Sequence, residues 1–247
     1  MSTRSVQKTG RTRTLTPRQT QAFNGLVQQR AMQFDTLGAF LGLSRSRTYA
    51  VVAELRTAGL VGAPMCLGGG ANWVVPTRRG VTRYFGRSLP EWTPSFLWSV
   101  RGRAAVETRV TLGAVTADVW TSERELLVSS SLQGAYPYDA RMLATSNPFA
   151  LHAGADFVEP VWAVKVDVTR DSTAGPLAEM LDRLVVQAEA DGCNTVLWVC
   201  TGARRPETVR TAAARIRSDL AFAAATPAEL AGRPRGLRIV GRTAKGA

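Results

Sequence analysis

At 247 residues, with 45% hydrophobic and 20% charged residues, the chain is long enough for two compact domains and too apolar to remain unfolded. No stretch approaches the ~20 consecutive apolar residues of a membrane span, and the polar, basic start lacks an apolar signal-peptide core, so a cytoplasmic, nucleoid-associated protein without membrane contact is expected. The net charge of +12 is confined to one end, with 15 Lys/Arg against 3 Asp/Glu in residues 1–104 and 16 of each in residues 105–247, a distribution that attracts a polyanion and converts counterion release into salt-dependent affinity.

In chain order, residues 1–14 carry Arg4, Lys8, Arg11 and Arg13 among Ser, Thr and Gly without apolar periodicity, which predicts a mobile basic arm. Thr16 and Pro17 then suit the N-cap and first position of a helix whose inner face is Ala22, Phe23, Leu26 and Val27. A second helix is expected from Phe34 to Leu41, with Leu37, Phe40 and Leu41 inward and Gly42-Leu43 as a tight turn. Ser44 is placed to cap a third, Arg45 to Ala58, that buries Thr48, Val51, Val52 and Leu55. Two hairpin strands follow, Val61 to Leu67 and Asn72 to Pro76, around Gly68-Gly69-Gly70, since glycine supplies the positive φ of a sharp tip. Thr77 caps a short helix holding Arg78, Arg79 and Arg83. Pro90, Trp92 and Pro94 mark a boundary between domains at 15–90 and 100–247.

Beyond the boundary, residues 103–119 present Val106, Val110, Val115 and Val119 at helical spacing. Strands are expected at Glu125 to Ser130, Ala140 to Ala144 and Val161 to Val168. A helix from Pro176 to Ala190, a buried strand from Thr195 to Cys200, a helix from Pro206 to Arg217 and a last strand at Leu237 to Val240 complete the order. The pattern indicates an α+β or α/β chain whose second half is a mixed sheet flanked by helices.

The run from Leu37 through Ser44-Arg45-Ser46-Arg47-Thr48 to Leu55, followed by Gly59-Leu60-Val61, resembles the winged helix-turn-helix families of bacterial regulators over about seventy residues. Burying Thr48, Val51, Val52 and Leu55 turns Arg45, Ser46, Arg47 and Tyr49 outward near the start of the third helix, the end that such folds place in the DNA major groove. Arg56 is positioned for phosphate. Asn72 in the wing, Arg78 and Arg79 beside it, and Arg11 and Arg13 in the arm are further candidate contacts to duplex DNA. Two-fold operators favour a homodimer.

In the second half, Trp120-Thr121-Ser122-Glu123, Pro137-Tyr138-Asp139 and Trp162-Ala163-Val164-Lys165-Val166-Asp167 resemble the replication-relaxation family of actinobacterial plasmids and phage-like elements. The resemblance implies a winged helix joined to a PD-(D/E)XK nuclease-like domain, with plasmid replication or transfer proteins as partners. An active nuclease of this kind gathers carboxylates on Mg²⁺ beside a lysine, and the candidates are Glu123, Asp139, Lys165 and Asp167, with Asp139 and Asp167 as metal ligands. The pattern is degenerate. Lys165-Val166-Asp167 reverses the acid-x-Lys order, and Tyr138 separates Pro137 from Asp139. Lys165 and Asp167 share one strand face, so an ion-pair cluster with Asp139 competes with a metal site; Asp156 and Glu159 are weaker alternative ligands. Cys66, Cys193 and Cys200 suggest neither disulfides nor a zinc box, and His152 is the only histidine, which disfavours histidine catalysis and relaxase-type nicking by Tyr84, Tyr136 or Tyr138. The expectation is a sequence-specific DNA-binding regulator, or a replication or transfer accessory factor, with an inert nuclease-like domain and no cofactor. A Mg²⁺-dependent endonuclease or nickase is the alternative.

Overall fold

The computed structural model of the chain describes residues 14–67, 70–130, 132, 134–143, 161–169, 177–231 and 239–240. Arg11 and Arg13 of the expected arm, Gly68 and Gly69 of the hairpin tip, His152, Asp156 and Glu159 lie outside those residues.

Helix α1 (Pro17–Gln28) starts at a capping box in which Thr16 Oγ1 accepts from the Gln19 amide and Gln19 Oε1 accepts from the Thr16 amide, satisfying two groups that a helix end otherwise leaves open. Strand β1 (Met32–Gln33) leads into α2 (Phe34–Leu41), which Gly42 ends in the left-handed region at φ 62°. Helix α3 (Arg45–Thr57) follows, burying Thr48, Val52 and Leu55. Ser44 occupies the N-cap position, but its hydroxyl makes no capping bond and instead lies 3.3 Å from Ser46 Oγ.

The expected two-stranded hairpin is reduced. Only β2 (Trp73–Val74) is a strand, and it pairs antiparallel with β1. The outgoing limb meets the returning one through single bridges, Val61 to Pro76 and Met65 to Trp73. Gly62 and Pro64 explain the loss, since proline has no amide to donate and glycine packs no side chain. Helix α4 (Arg78–Phe85) is capped by Thr77, whose Oγ1 accepts from the Gly80 amide at 3.0 Å.

Helix α5 (Phe96–Thr111) is shifted toward the N-terminus from the expected 103–119 because Ser95 caps it and Gly113, at φ 69°, follows its end. Strand β3 (Trp120–Ser122) precedes α6 (Glu123–Ser129). The expected strand from Glu125 to Ser130 is therefore wrong: Ser122 and Glu125 form a capping box that starts a helix. Strands β4 (Ala140–Leu143) and β5 (Val161–Asp167), helix α7 (Leu177–Ala190) and strand β6 (Thr195–Cys200) follow the expected order. Helix α8 (Pro206–Ala213) stops short of Arg217. Strand β7 (Ala221–Ala225) and helix α9 (Pro227–Ala231) were not expected, and β8 (Ile239–Val240) closes the sheet.

The sheet is mixed, in the order β3-β4-β5-β6-β7-β8. Its first three strands form an antiparallel meander, β5-β6-β7 run parallel, and β8 is antiparallel to β7. Leu181 and Leu184 of α7 and Val209 of α8 cover one face against Ala163, Val196, Trp198 and Phe222. On the other face Leu230 of α9 packs with Trp120, Val164, Leu197 and Val199, while Ala104 and Ala105 of α5 lie against Val166. The architecture is α+β, a mixed sheet flanked by helices.

Helix α5 belongs to two cores. Val106 is fully buried in the cluster of Phe23, Leu26, Phe40 and Leu55, and Val110 packs on it. At the same seam the Arg109 guanidinium lies over the rings of Phe40 and Trp120 at 5.0 and 5.3 Å and donates to the Ala114 and Thr116 carbonyls. Burial pushes its pKa down to about 9, against the raising charges of Glu125 and Tyr84. Gln28 Nε2 and Tyr84 Oη both donate to Glu125 Oε1, so the end of α1 is bonded directly to α6. Among the described residues, no helix is long and apolar enough to cross a membrane.

Candidate nucleic-acid interface and the acidic cluster

Packing of α3 against α1 and α2 fixes what it presents. With Thr48, Val52 and Leu55 inward, Arg45, Ser46, Arg47, Tyr49, Ala50 and Arg56 are all exposed. At about 100° per residue, Ser46, Ala50 and Ala53 form a narrow outermost ridge of small side chains. Arg45, Tyr49 and Arg56 flank the ridge on one side, and Arg47 and Glu54, the latter bonded to Gln19 of α1, flank it on the other. The Tyr49 ring stacks on Phe34 at 4.1 Å and carries Arg45 over its other flank at 5.7 Å. Phe34, Gly38, Arg45, Tyr49, Gly70 and Asn72 line a groove of about 500 Å³ between α3 and the returning loop. Arg45, Tyr49 and Asn72 thus share one concave surface.

Arg78 and Arg79 are exposed but sit elsewhere. Thr77 Oγ1 donates to the Gly59 carbonyl at 2.7 Å, which ties the start of α4 to the end of α3. Both arginines therefore lie at the base of the loop, roughly 20 Å along α3 from Arg45 at 1.5 Å per residue, and Arg78 is bonded to Ser88 Oγ. Among the described residues, Arg45, Arg47, Arg56 and Arg79 pair with no carboxylate, whereas Arg101, Arg103, Arg204 and Arg210 all do.

The four acid and lysine candidates divide into two groups. Glu123, Asp139 and Lys165 gather around Arg101 of α5, whose Nη2 lies 2.7 Å from Asp139 Oδ1 and 3.7 Å from Glu123 Oε1. Lys165 Nζ lies 3.8 Å from Asp139 Oδ2, which also accepts from the Val166 amide at 2.8 Å. Burial raises the Asp139 pKa, but Lys165 and then Arg101 lower it further, so the net displacement is below the usual carboxylate range. Asp167 is held apart: its Oδ2 accepts from Arg204 Nη1 at 2.6 Å and Trp198 Nε1 at 3.1 Å, and its Oδ1 from the amide and hydroxyl of Thr169.

In this arrangement the Asp139 oxygens are engaged by Arg101, Lys165 and the Val166 amide and the Asp167 oxygens by Arg204, Trp198 and Thr169, so the two proposed ligands make separate sets of bonds. Among the described residues, no three His, Cys, Asp or Glu side chains are grouped to hold a metal. Arg101 and Arg204 are the residues that sequence reasoning missed. Each reaches its carboxylate across 37 or 38 positions, and no local spacing announces either pair.

Comparison of the chain with known protein families, with curated proteins and with solved structures finds no match.

Proposed function

We propose that this protein binds double-stranded DNA through a winged helix-turn-helix in residues 15–90, as a sequence-specific regulator or a replication or transfer accessory factor of a plasmid or phage-like element. The observation that carries the reading is the exposed face of α3, a slim Ser46-Ala50-Ala53 ridge bordered by Arg45, Arg56 and Arg47, which have no carboxylate partners among the described residues, while the one acid of the helix, Glu54, is bonded to Gln19. A helix of small side chains suits close entry into a major groove, and flanking guanidinium groups reach guanine edges or phosphates from both sides. Carboxylates that would repel a phosphate backbone are scarce in the whole first half. Asn72 serves as a wing contact, Arg78 and Arg79 as backbone contacts farther along the duplex, and a two-fold site engages a homodimer.

For the second half, the order of α5, three antiparallel strands with α6 inserted between the first two, crossover helix α7 and parallel strand β6 supports the likeness to PD-(D/E)XK nucleases and, with it, to the replication-relaxation family. Arg101 and Arg204 on the carboxylates support an inert version of that fold, working in the cytoplasm without a cofactor.

The test is retardation of duplex fragments, followed by selection of bound sequences from a random pool. Arg45→Ala with Arg47→Ala removes two groups worth about 1–3 kcal/mol each and is expected to lower specific affinity by about 30-fold or more. Arg11→Ala with Arg13→Ala is expected mainly to flatten the salt dependence. No retardation of any duplex at low ionic strength overturns the reading. A second reading, a Mg²⁺-dependent endonuclease or nickase, draws on the convergence of Glu123, Asp139 and Lys165. Cleavage of supercoiled DNA in Mg²⁺ or Mn²⁺ that disappears in Asp139→Ala would establish it in place of the inert fold.

A further inference from the structure

Where α1 ends against α5 and α6, a partly enclosed cavity of about 40 Å³ is lined by Gln29, Arg30, Arg101, Glu123, Arg124 and Asp139. One water needs roughly 10–15 Å³ by the same measure, so the space suits a small tetrahedral ion. Its cations outnumber its carboxylates. Arg101 and Lys165 already answer Asp139 and Glu123, and among the described residues neither Arg30 nor Arg124 forms an ion pair.

Donor groups are also in surplus. Among the described residues, Nε of Arg124, a residue 6% exposed, and Nε2 of Gln29, 9% exposed, have no hydrogen-bond partner, although buried donors nearly always find one. Arg124 Nη1 is fixed on the Val27 carbonyl at 3.0 Å, which holds the guanidinium in place. Burial, reinforced by the Arg30 charge, lowers the Arg124 pKa to about 10, and burial together with Arg101 lowers that of Arg30 against the raising effect of Glu123. Guanidinium groups keep their charge in proteins, and the Arg30 charge acts on Arg124 as a repulsion. Among the described residues Gln28 Oε1, which also lines the cavity, is an unpartnered acceptor, suited to the O–H of a monohydrogen phosphate.

Arg30 has a second peculiarity. Among the described residues it is the only non-glycine with positive φ, at 69°, directly after the C-cap of α1, where glycine is the usual choice. A side chain there carries a steric cost, and left-handed backbone of this kind clusters where a side chain has a task.

We infer that this seam is a binding pocket for a phosphoryl oxyanion, held by the guanidinium groups of Arg30 and Arg124 with the Gln29 amide. The ligand joins the end of α1 to α5 and α6. Its source is either free phosphate or a phosphorylated DNA end, and the pocket stands independently of the α3 interface.

The full chain is melted with inorganic phosphate against chloride of equal ionic strength, and with a short duplex bearing a 5′-phosphate against the same duplex with a 5′-hydroxyl. At about 100-fold excess over Kd, phosphate is expected to raise Tm by about 5 °C or more. Arg30→Gly gives up the guanidinium's place over the Trp92 ring at 5.8 Å but relieves the left-handed backbone, so it is compared with its own phosphate-free melting point and is expected to lose the shift. Arg30→Asn, which also tolerates that backbone, is expected to do the same should the glycine variant fail to fold. Arg45→Ala with Arg47→Ala keeps the shift, which separates this pocket from duplex binding. A shift with free phosphate assigns a small-molecule ligand, and a shift confined to the 5′-phosphorylated duplex assigns a DNA end. No shift in either arm, or an undiminished shift in both Arg30 variants, overturns the inference.

Discussion

Replacing Asp167 by asparagine tests whether this carboxylate holds the fold or serves chemistry. Its side chain and that of Arg204 are each 2% exposed and meet at 2.6 Å. The amide side chain of Asp167→Asn keeps the shape and one acceptor for Trp198 Nε1 but supplies no charge, leaving Arg204 buried without a counter-ion and with its Nε already unpartnered. Removing one member of a buried pair costs about 3–5 kcal/mol, and the retained acceptor places this variant near the lower end of that range. For a chain of this length about 1 kcal/mol moves Tm by 2–4 °C, so a fall of about 6–12 °C is expected by calorimetry or circular dichroism. Asp167→Asn combined with Arg204→Met removes both charges and is expected to recover most of the loss, because an apolar side chain of similar volume replaces the pair with little penalty. A single variant that melts within about 1 °C of the parent, or a double variant no more stable than the single, refutes the reasoning. The first of those results would mark Asp167 as a carboxylate free to bind a ligand.

Arg101→Met is expected to destabilise the chain at neutral pH by about 1–3 kcal/mol, the cost of leaving a buried carboxylate short of its charged donors, as read by urea unfolding. Because the folded-state pKa of Asp139 lies below its unfolded value, its ionised form contributes stability above about pH 4 that is lost as pH falls through the folded value. Taking away Arg101 shrinks that displacement, so the acid-unfolding midpoint of Arg101→Met should move to higher pH; an unchanged midpoint would mean that Lys165 and the Val166 amide set it without Arg101. Gly80→Ala lies inside α4, where alanine ordinarily favours a helix by about 1 kcal/mol. The added Cβ would meet the Leu60 carbonyl oxygen at 2.4 Å, so the sign reverses and a lower Tm is expected, an equal or higher one excluding this close approach of α4 to the loop.

Much of the helical half was legible because its signals are local. Thr16-Pro17, Gly42 and the spacing of Thr48, Val52 and Leu55 each act within a few residues, and the outward arginines of α3 follow from them. Strand β6 was legible as an apolar run between polar neighbours. Helix α6 was misread through its apolar residues 126–128, although Ser122 and Glu125 carried the capping-box spacing that decides it. Strand β7 reads Ala-Phe-Ala-Ala-Ala, which prefers a helix in isolation, and it is extended because the open edge of β6 offers a ladder of hydrogen bonds. The acidic cluster was half legible. Asp139 and Lys165 come together through the pairing of β4 with β5, whereas Arg101 and Arg204 arrive from helical and loop positions distant in the chain, and their guanidinium groups decide what the carboxylates can do.

The double membership of α5 bears on any attempt to dissect the chain. A protease nicking the stretch between Gly86 and Ser95 should yield two fragments that stay associated in native buffer, because parting them strips Val106 and Val110 from the cluster around Phe40 and draws Arg109 off the Phe40 ring. A recombinant piece ending before Phe96 would begin life with that apolar cluster uncovered, so an autonomous amino-terminal unit has to run through Val115 to be soluble by itself.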